Sequence, residues 1–380
     1  GGWMTAAMTR REWVTSCGMT AAGLMVTRSG VRGLPELAPA AEPRQPAVIR
    51  LCFNENPHGP PATALRAAQQ ALTGANRYAD AETFDALAAR IAEREGVTPA
   101  HVLIGSGSSE LLGLAAMAYA RRGAEVLVAD PSFPHLGNIA EGLGATVHRV
   151  PVDAQYRHDL DRMAEAVTAE TTLVQICNPN NPTGTIVPGD QLRAFCEHVS
   201  PRAPVLVDEA YHELVEAPEH ASMVPLASAG ANVIVLRTFS KIYGMAGFRV
   251  GYAIARPDLI QQLKRLQTTD VSVASLRAAL AAYSDRTFTE RSRRLIREAR
   301  ELTARGLDEL GVRYVPSHTN FIAFWAGPTQ RDLPVRLYAR GVKISWEVKP
   351  LDGDWARVSI GTAKEMGSFL TALRQEWHTA

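Results

Sequence analysis

Lys241 sits in the run Thr238–Gly251, with Thr238 and Ser240 just before it, a glycine-rich turn just after it, and Arg249 eight positions on. A lysine in this setting can form a Schiff base with an aldehyde cofactor, while the hydroxyls and the arginine hold that cofactor's phosphate. Lysine is scarce: only Lys241, Lys264, Lys343, Lys349 and Lys364 occur in 380 residues, so few side chains could form an imine at all. These observations predict pyridoxal-phosphate chemistry, with the segments Asn178–Gly184 and Val207–Tyr211 supplying the other half of the site.

Asp208 ends the apolar run Val205–Val207. A carboxylate at the end of a buried strand needs a cationic partner. A protonated pyridine nitrogen is one, and a charged ring accepts electrons from a substrate carbanion. A helix N-cap or a magnesium ligand would use the same residue type. Tyr211, three positions on, could hydrogen-bond the cofactor's phenolic oxygen together with Asn181. Asn181 lies in a turn, Asn178–Gly184, that two prolines and a glycine make tight, with an Asn-Pro bond expected to be cis. Phe133, after the strand Val126–Val128, could stack on the ring. Gly107, Ser108 and Ser109 open a helix after the strand Val102–Ile104, where free N–H groups and the helix dipole favour a phosphate. Alone, that turn is also what any strand–helix connection looks like.

The elements needed to position these groups are legible from about Ile49 onward. Ala62–Leu72 reads as a short helix, and Glu82–Glu95 as an amphipathic one with Phe84, Leu87, Ala88 and Ile91 on one face. Apolar runs at 102–104, 126–128, 173–177, 205–207, 233–236 and 250–254 alternate with helical or turn-rich segments. Continuous apolar strands between helices predict an α/β fold: a mainly parallel sheet with helices on both faces. After residue 270 a helix-rich stretch precedes strands near 313–315, 321–324, 342–345 and 357–360, which predicts a smaller α+β domain. The expected division is a leader at 1–45, an N-terminal segment at 46–75 joining the small domain, a large cofactor-binding domain at 76–270 and a small domain at 271–380.

Composition excludes several classes. A formal net charge of +1 without a basic block argues against a nucleic-acid partner. Cys17, Cys52, Cys177 and Cys196 have neither metal-ligand nor redox spacing, so no metal is expected. No apolar run reaches the ~18–20 residues of a membrane span. Residues 1–45 carry Arg10-Arg11, a modest apolar run from Trp13 to Val26 and an Ala38-Pro39-Ala40 stretch. They resemble a twin-arginine export signal, with a true start at Met4 or Met8. The expectation is a periplasmic or extracellular protein if the leader is real, and a cytoplasmic one otherwise.

In order, these pieces resemble the fold-type I aminotransferases that use pyridoxal phosphate, most closely the histidinol-phosphate aminotransferase branch. The matching runs are Phe53–Pro60, Arg77-Tyr78, Gly105–Glu110, Pro131–Phe133, Asn178–Gly184, Asp208–Tyr211, Thr238–Gly251 and Arg357–Thr362. The resemblance implies that Lys241 is the imine lysine and the base that moves the substrate proton. It implies that Asp208 pairs with the pyridine nitrogen, that Tyr211 and Asn181 hold the phenolic oxygen, and that Phe133 stacks on the ring. Gly107, Ser108, Ser109, Thr238, Ser240 and Arg249 would hold the phosphate, joined by Tyr78 of a neighbouring subunit in a homodimer. Arg357 and Asn56 would bind the substrate, Arg357 at its carboxylate or phosphate. An amino-acid donor and a 2-oxo-acid acceptor are the implied partners.

The chain departs from the family pattern in two places. Ser345 stands where the branch has a second arginine for the substrate phosphate, with Lys343 on what reads as a solvated face, and Ser109 stands where an aspartate is common. The first departure makes an α-amino acid on Arg357 as good a fit as histidinol phosphate. The same site could also serve elimination, decarboxylation or oxidation. A cofactor-binding regulator without turnover would need a DNA-binding helix–turn–helix, which the first 45 residues do not contain.

Overall fold

The computed structural model describes residues 48–346 and 354–377. The leader expected at 1–45 lies outside the described residues. Two sheets organise the described chain. The larger is seven-stranded, in the order β2 (Val102–Gly105), β8 (Gly251–Ile254), β7 (Val233–Thr238), β6 (Val205–Asp208), β5 (Thr171–Cys177), β3 (Glu125–Asp130), β4 (Thr146–Pro151). β7, β6, β5, β3 and β4 pair in parallel, while β8 runs against both β7 and β2.

Period-two alternation sorts the strand side chains onto two buried faces. Val174, Ile176, Val205, Val207, Val233 and Val235 pack on one side, where the helices Ala81–Glu95, Gly189–Val199 and Val273–Ser284 cover them. Leu173, Leu206, Ile234 and Leu236 pack on the other, against Ser108–Tyr119, His135–Gly142 and Pro257–Lys264. Burial on both faces is why these strands read as unbroken apolar runs.

The smaller sheet has the order β1 (Ile49–Leu51), β10 (Val342–Trp346), β11 (Trp355–Ser359), β9 (Phe321–Trp325), and only the β1–β10 pair is parallel. The long helix Arg286–Glu309 lies against the C-terminal helix Ala363–Trp377. Asp285 caps its start by accepting from Phe288 N at 3.0 Å.

The helices Ala62–Leu72 and Ala81–Glu95 form where periodicity predicts them. One strand expectation needs correction, and two strands were not expected. Residues 313–315 make no strand: Tyr314 forms an isolated bridge to Phe324. β4 gave no apolar signal because it is an edge strand with His148 and Arg149 exposed. β1 is three residues long and exists only through its pairing with distant β10. No helix among the described residues is long and apolar enough to cross a membrane.

Candidate active site

A cavity of about 300 Å³ opens above the carboxyl ends of β3, β5, β6 and β7, with the first turn of Ser108–Tyr119 at one side. The chain order reverses between β3 and β5, and a crevice at such a switch point is where open α/β sheets bind ligands.

The loop after β7 places Lys241. Phe239 is fully buried and packs against Tyr243, Tyr252 and Tyr283, with ring centroids 4.9–5.9 Å away. Its N–H donates to Val250 O at 3.0 Å, and its carbonyl accepts from Met245 N at 3.1 Å. With Phe239 anchored inward, Lys241 turns to the cavity. Its Nζ donates to Phe53 O at 3.3 Å and lies 5.5 Å from the centroid of the Tyr211 ring. Burial, and then the nearby Arg357 guanidinium, lower its pKa to about 8. The loop crosses residues 53–60 backbone to backbone: a Cβ on Gly244 (φ 65°) would stand 2.6 Å from Gly59 Cα.

Asp208 is buried at the tip of β6, and burial raises its pKa to about 6. Among the described residues its hydrogen-bond partner is the Ala210 N–H at 3.1 Å, which leaves most of a buried carboxylate unmatched. Tyr211 is buried too, and burial pushes its phenol up. Its hydroxyl accepts from Asn54 Nδ2 at 3.0 Å. The turn 178–184 is braced from behind. Asn180 Nδ2 donates to Pro131 O at 2.9 Å, its Oδ1 accepts from Ser132 at 2.9 Å, and Asn178 Oδ1 accepts from Val187 N at 3.0 Å. The Asn178–Pro179 bond is cis. Asn181 faces the cavity and accepts from Arg357 Nη1 at 2.5 Å.

Arg357 reaches in from β11 of the other sheet. Its Nη2 donates to Cys52 O at 3.4 Å, its guanidinium lies 5.3 Å from the Phe321 ring centroid, and its Nε has no partner among the described residues. A half-buried guanidinium with an orphaned N–H and no ion pair among the described residues suits an incoming anion.

Ser108, Ser109, Thr238, Ser240 and Arg249 line one end of the cavity. The helix that Ser108 opens has no side-chain cap, so its first N–H groups are free for an anion. Thr238 donates to Ser240 Oγ at 3.0 Å, and Arg249 Nη1 to the same oxygen at 3.4 Å. Arg249 has a left-handed backbone (φ 55°), a strained state typical of functional sites. Gly107 (φ 82°) lies behind it: a Cβ there would stand 2.5 Å from Arg249 Nη2. Phe133 lines the wall, stacked on His135 at 6.1 Å.

Three expected residues do not line this cavity: Asn56, Tyr78 and Gly107, the last of which lies behind Arg249. Asn56 is buried beneath the lysine loop, donating to Ile242 O at 2.7 Å and accepting from His58 N at 3.0 Å, so both ends of its amide are engaged within the chain. Tyr78 is 96% exposed. Conversely, Phe53, Asn54, Glu55, Cys177, Ala210 and Ala246 line the cavity without having been expected there. Asn54 stands two positions before Asn56, where an extended chain would put both on one face, and its left-handed backbone (φ 54°) breaks that alternation.

The donor set fits pyridoxal phosphate: an anion cradle at a helix end, a lysine with lowered pKa, and a buried carboxylate in want of a cation. Residues 46–373 match the family model for aminotransferase class I and II. The histidinol-phosphate aminotransferase of Moorella thermoacetica is 39% identical over 86% of this chain and 85% of its own length. Histidinol-phosphate aminotransferase 2 of Ralstonia nicotianae is 38% identical over 86% and 88%. The crystal structure of the Sinorhizobium meliloti histidinol-phosphate aminotransferase in complex with pyridoxal-5'-phosphate superposes with a TM-score of 0.82, at 29% identity, over 88% of this chain and 91% of that one. The chain is thus a pyridoxal-phosphate-dependent aminotransferase, and it belongs to the aminotransferase class I and II family, in the branch that contains the histidinol-phosphate aminotransferases.

Proposed function

We propose that this enzyme takes the amino group of an α-amino acid, held by its carboxylate on Arg357, and passes it to a 2-oxo acid held on the same arginine. The single observation behind this reading is the half-buried Arg357 guanidinium, its buried Nε unpartnered among the described residues, reaching the cavity that Lys241 lines. Donor and acceptor both carry a carboxylate next to the reacting carbon, so one bidentate site serves both half-reactions. A larger anion such as the phosphate of histidinol phosphate is suggested by the relatives' names. Among the described residues, however, the cations lining the cavity are Lys241, Arg249 and Arg357, and the first two are needed by the cofactor. Lys343 is exposed, and neither it nor Ser345 lines the cavity.

In this reading Ser108, Ser109, Thr238, Ser240 and Arg249 hold the cofactor phosphate, with Gly107 giving Arg249 room. Asp208 pairs with the ring nitrogen, Tyr211 and Asn181 hold the phenolic oxygen, and Phe133 covers the ring. Bound pyridoxal phosphate supplies an aldehyde carbon for covalent attachment and a ring that accepts the electron pair released at the substrate's α-carbon. The protein supplies the proton transfers. With its pKa lowered to about 8 by burial and then Arg357, Lys241 gives up its proton more readily than an ordinary lysine. Its Nζ is therefore available to accept the donor's α-proton and deliver it back.

Residues 76–270 and the seven-stranded sheet are read as the cofactor domain, and 271–380, joined by 46–75, as the smaller one. The exposed Tyr78 supports a homodimer in which it enters the partner's cavity. Single-turnover mixing of holoenzyme with amino acids or histidinol phosphate, without acceptor, tests the reading. The expected result is stoichiometric pyridoxamine phosphate and 2-oxo acid from amino acids. Release of ammonia or carbon dioxide instead, or turnover of histidinol phosphate alone, would overturn it.

A further inference from the structure

Five charged side chains line the cavity among the described residues: Glu55, Asp208, Lys241, Arg249 and Arg357. Asp208, Lys241, Arg249 and Arg357 are engaged by cofactor or substrate carboxylate in the proposed function, and Glu55 is not. The backbone around Glu55 is tied down. Asn320 Nδ2 donates to the carbonyls of Asn54 and Glu55 at 2.9 and 3.3 Å, and Asn54 N donates to Ser359 Oγ at 2.7 Å. Ser359 lies two positions along β11 from Arg357, so the two groups share one wall.

The Glu55 carboxylate pairs with Arg50, which donates from Nε at 3.0 Å and from Nη2 at 2.7 Å. Arg50 does not line the cavity, and its side chain is 60% exposed. The pair is bidentate, but with Arg50 exposed it is screened by solvent, and an incoming cation can compete for the carboxylate. Glu55 is therefore a fixed carboxylate on the cavity wall whose counter-ion sits on the solvent side. A donor with its carboxylate on Arg357 and its amine at Lys241 has one substituent left to place. Among the described residues, the charged group still open to that substituent is Glu55.

We propose that Glu55 selects the donor by its side chain, receiving a protonated amine, guanidinium or imidazolium in place of Arg50 and repelling a side-chain carboxylate. This rests on the transamination reading above, and it makes a basic amino acid the preferred donor class. The repulsion matters as much as the attraction, since specificity is a difference between affinities.

The test is the acceptor-free half-reaction of holoenzyme with L-lysine, L-arginine, L-leucine and L-glutamate, in wild type, E55Q and R50A. Wild type should react faster with the basic donors than with leucine, and slowest with glutamate. E55Q should lower the second-order rate constant for basic donors by roughly 10- to 100-fold more than for leucine, the range for loss of a charge-assisted hydrogen bond. R50A should raise it for basic donors, because their competitor is gone, which a merely structural Glu55 would not produce. An equal loss on every donor in E55Q, or a fall for basic donors in R50A, would overturn the inference and leave transamination standing. If no amine converts in wild type, the transamination reading fails and this one with it.

Discussion

Asp208 gives the sharpest quantitative test, because without cofactor its carboxylate works against the fold. Its pKa moves from 3.8 to about 6, chiefly through burial. That places about 3 kcal/mol against the ionised form in the folded chain at neutral pH. The folded carboxyl binds its proton more tightly than the unfolded one, so stability falls as pH rises from about 4 to about 6 and then levels off. Asp208→Asn keeps the acceptor for Ala210 N and removes the charge. Cofactor-free D208N should therefore be more stable than cofactor-free wild type at pH 7.5, by up to about 3 kcal/mol. The advantage should shrink toward zero near pH 4. With saturating pyridoxal phosphate the order should reverse, since the ring cation then meets the carboxylate in wild type only. Denaturant titrations of both proteins, with and without cofactor at several pH values between 4 and 8, measure this. A stability difference independent of pH, or a cofactor-free variant weaker than wild type throughout, would refute the reasoning.

Three further outcomes are expected. Lys241→Ala should leave no cofactor fixed to the chain after borohydride treatment, as peptide mapping would show, and should abolish turnover. Arg357→Ala should raise KM for carboxylate donors by roughly 100-fold, the loss of about 3 kcal/mol from a buried charged pair, while the visible spectrum of the holoenzyme stays in place. Gly107→Ala should press its methyl on the Arg249 guanidinium and weaken pyridoxal phosphate binding by at least about tenfold, since φ 82° is also unfavourable for alanine; an equilibrium titration would show it.

What was legible in the sequence is what lies on strand ends. Asp208, the 178–184 turn and Thr238–Arg249 each follow an apolar run, so element and side chain are read from one local pattern. The cavity groups from residues 53–55 were not legible in this way. They depend on the crossing at Gly59 and Gly244 and on hydrogen bonds to Asn320 and Ser359, all distant in the chain. The same crossing turns Asn56 away from the cavity, which the resemblance alone did not show. Strand direction was equally hidden: the run at 250–254 looks like its neighbours, yet β8 is antiparallel.

The contact between Gly59 and Gly244 has a broader consequence. It butts the stretch bearing Asn54 and Glu55 against the loop bearing Lys241, leaving no layer of side chains to cushion drift between them. Lys241 and the wall residues Asn54 and Glu55 thus come from separate stretches of chain that this backbone contact registers to one another. Residues 53–56 also touch the catalytic groups directly, through Phe53 O on Lys241, Asn54 on the Tyr211 hydroxyl and Asn56 on Ile242 O, so a change that shifts this segment is felt at the lysine as well as at the cavity wall.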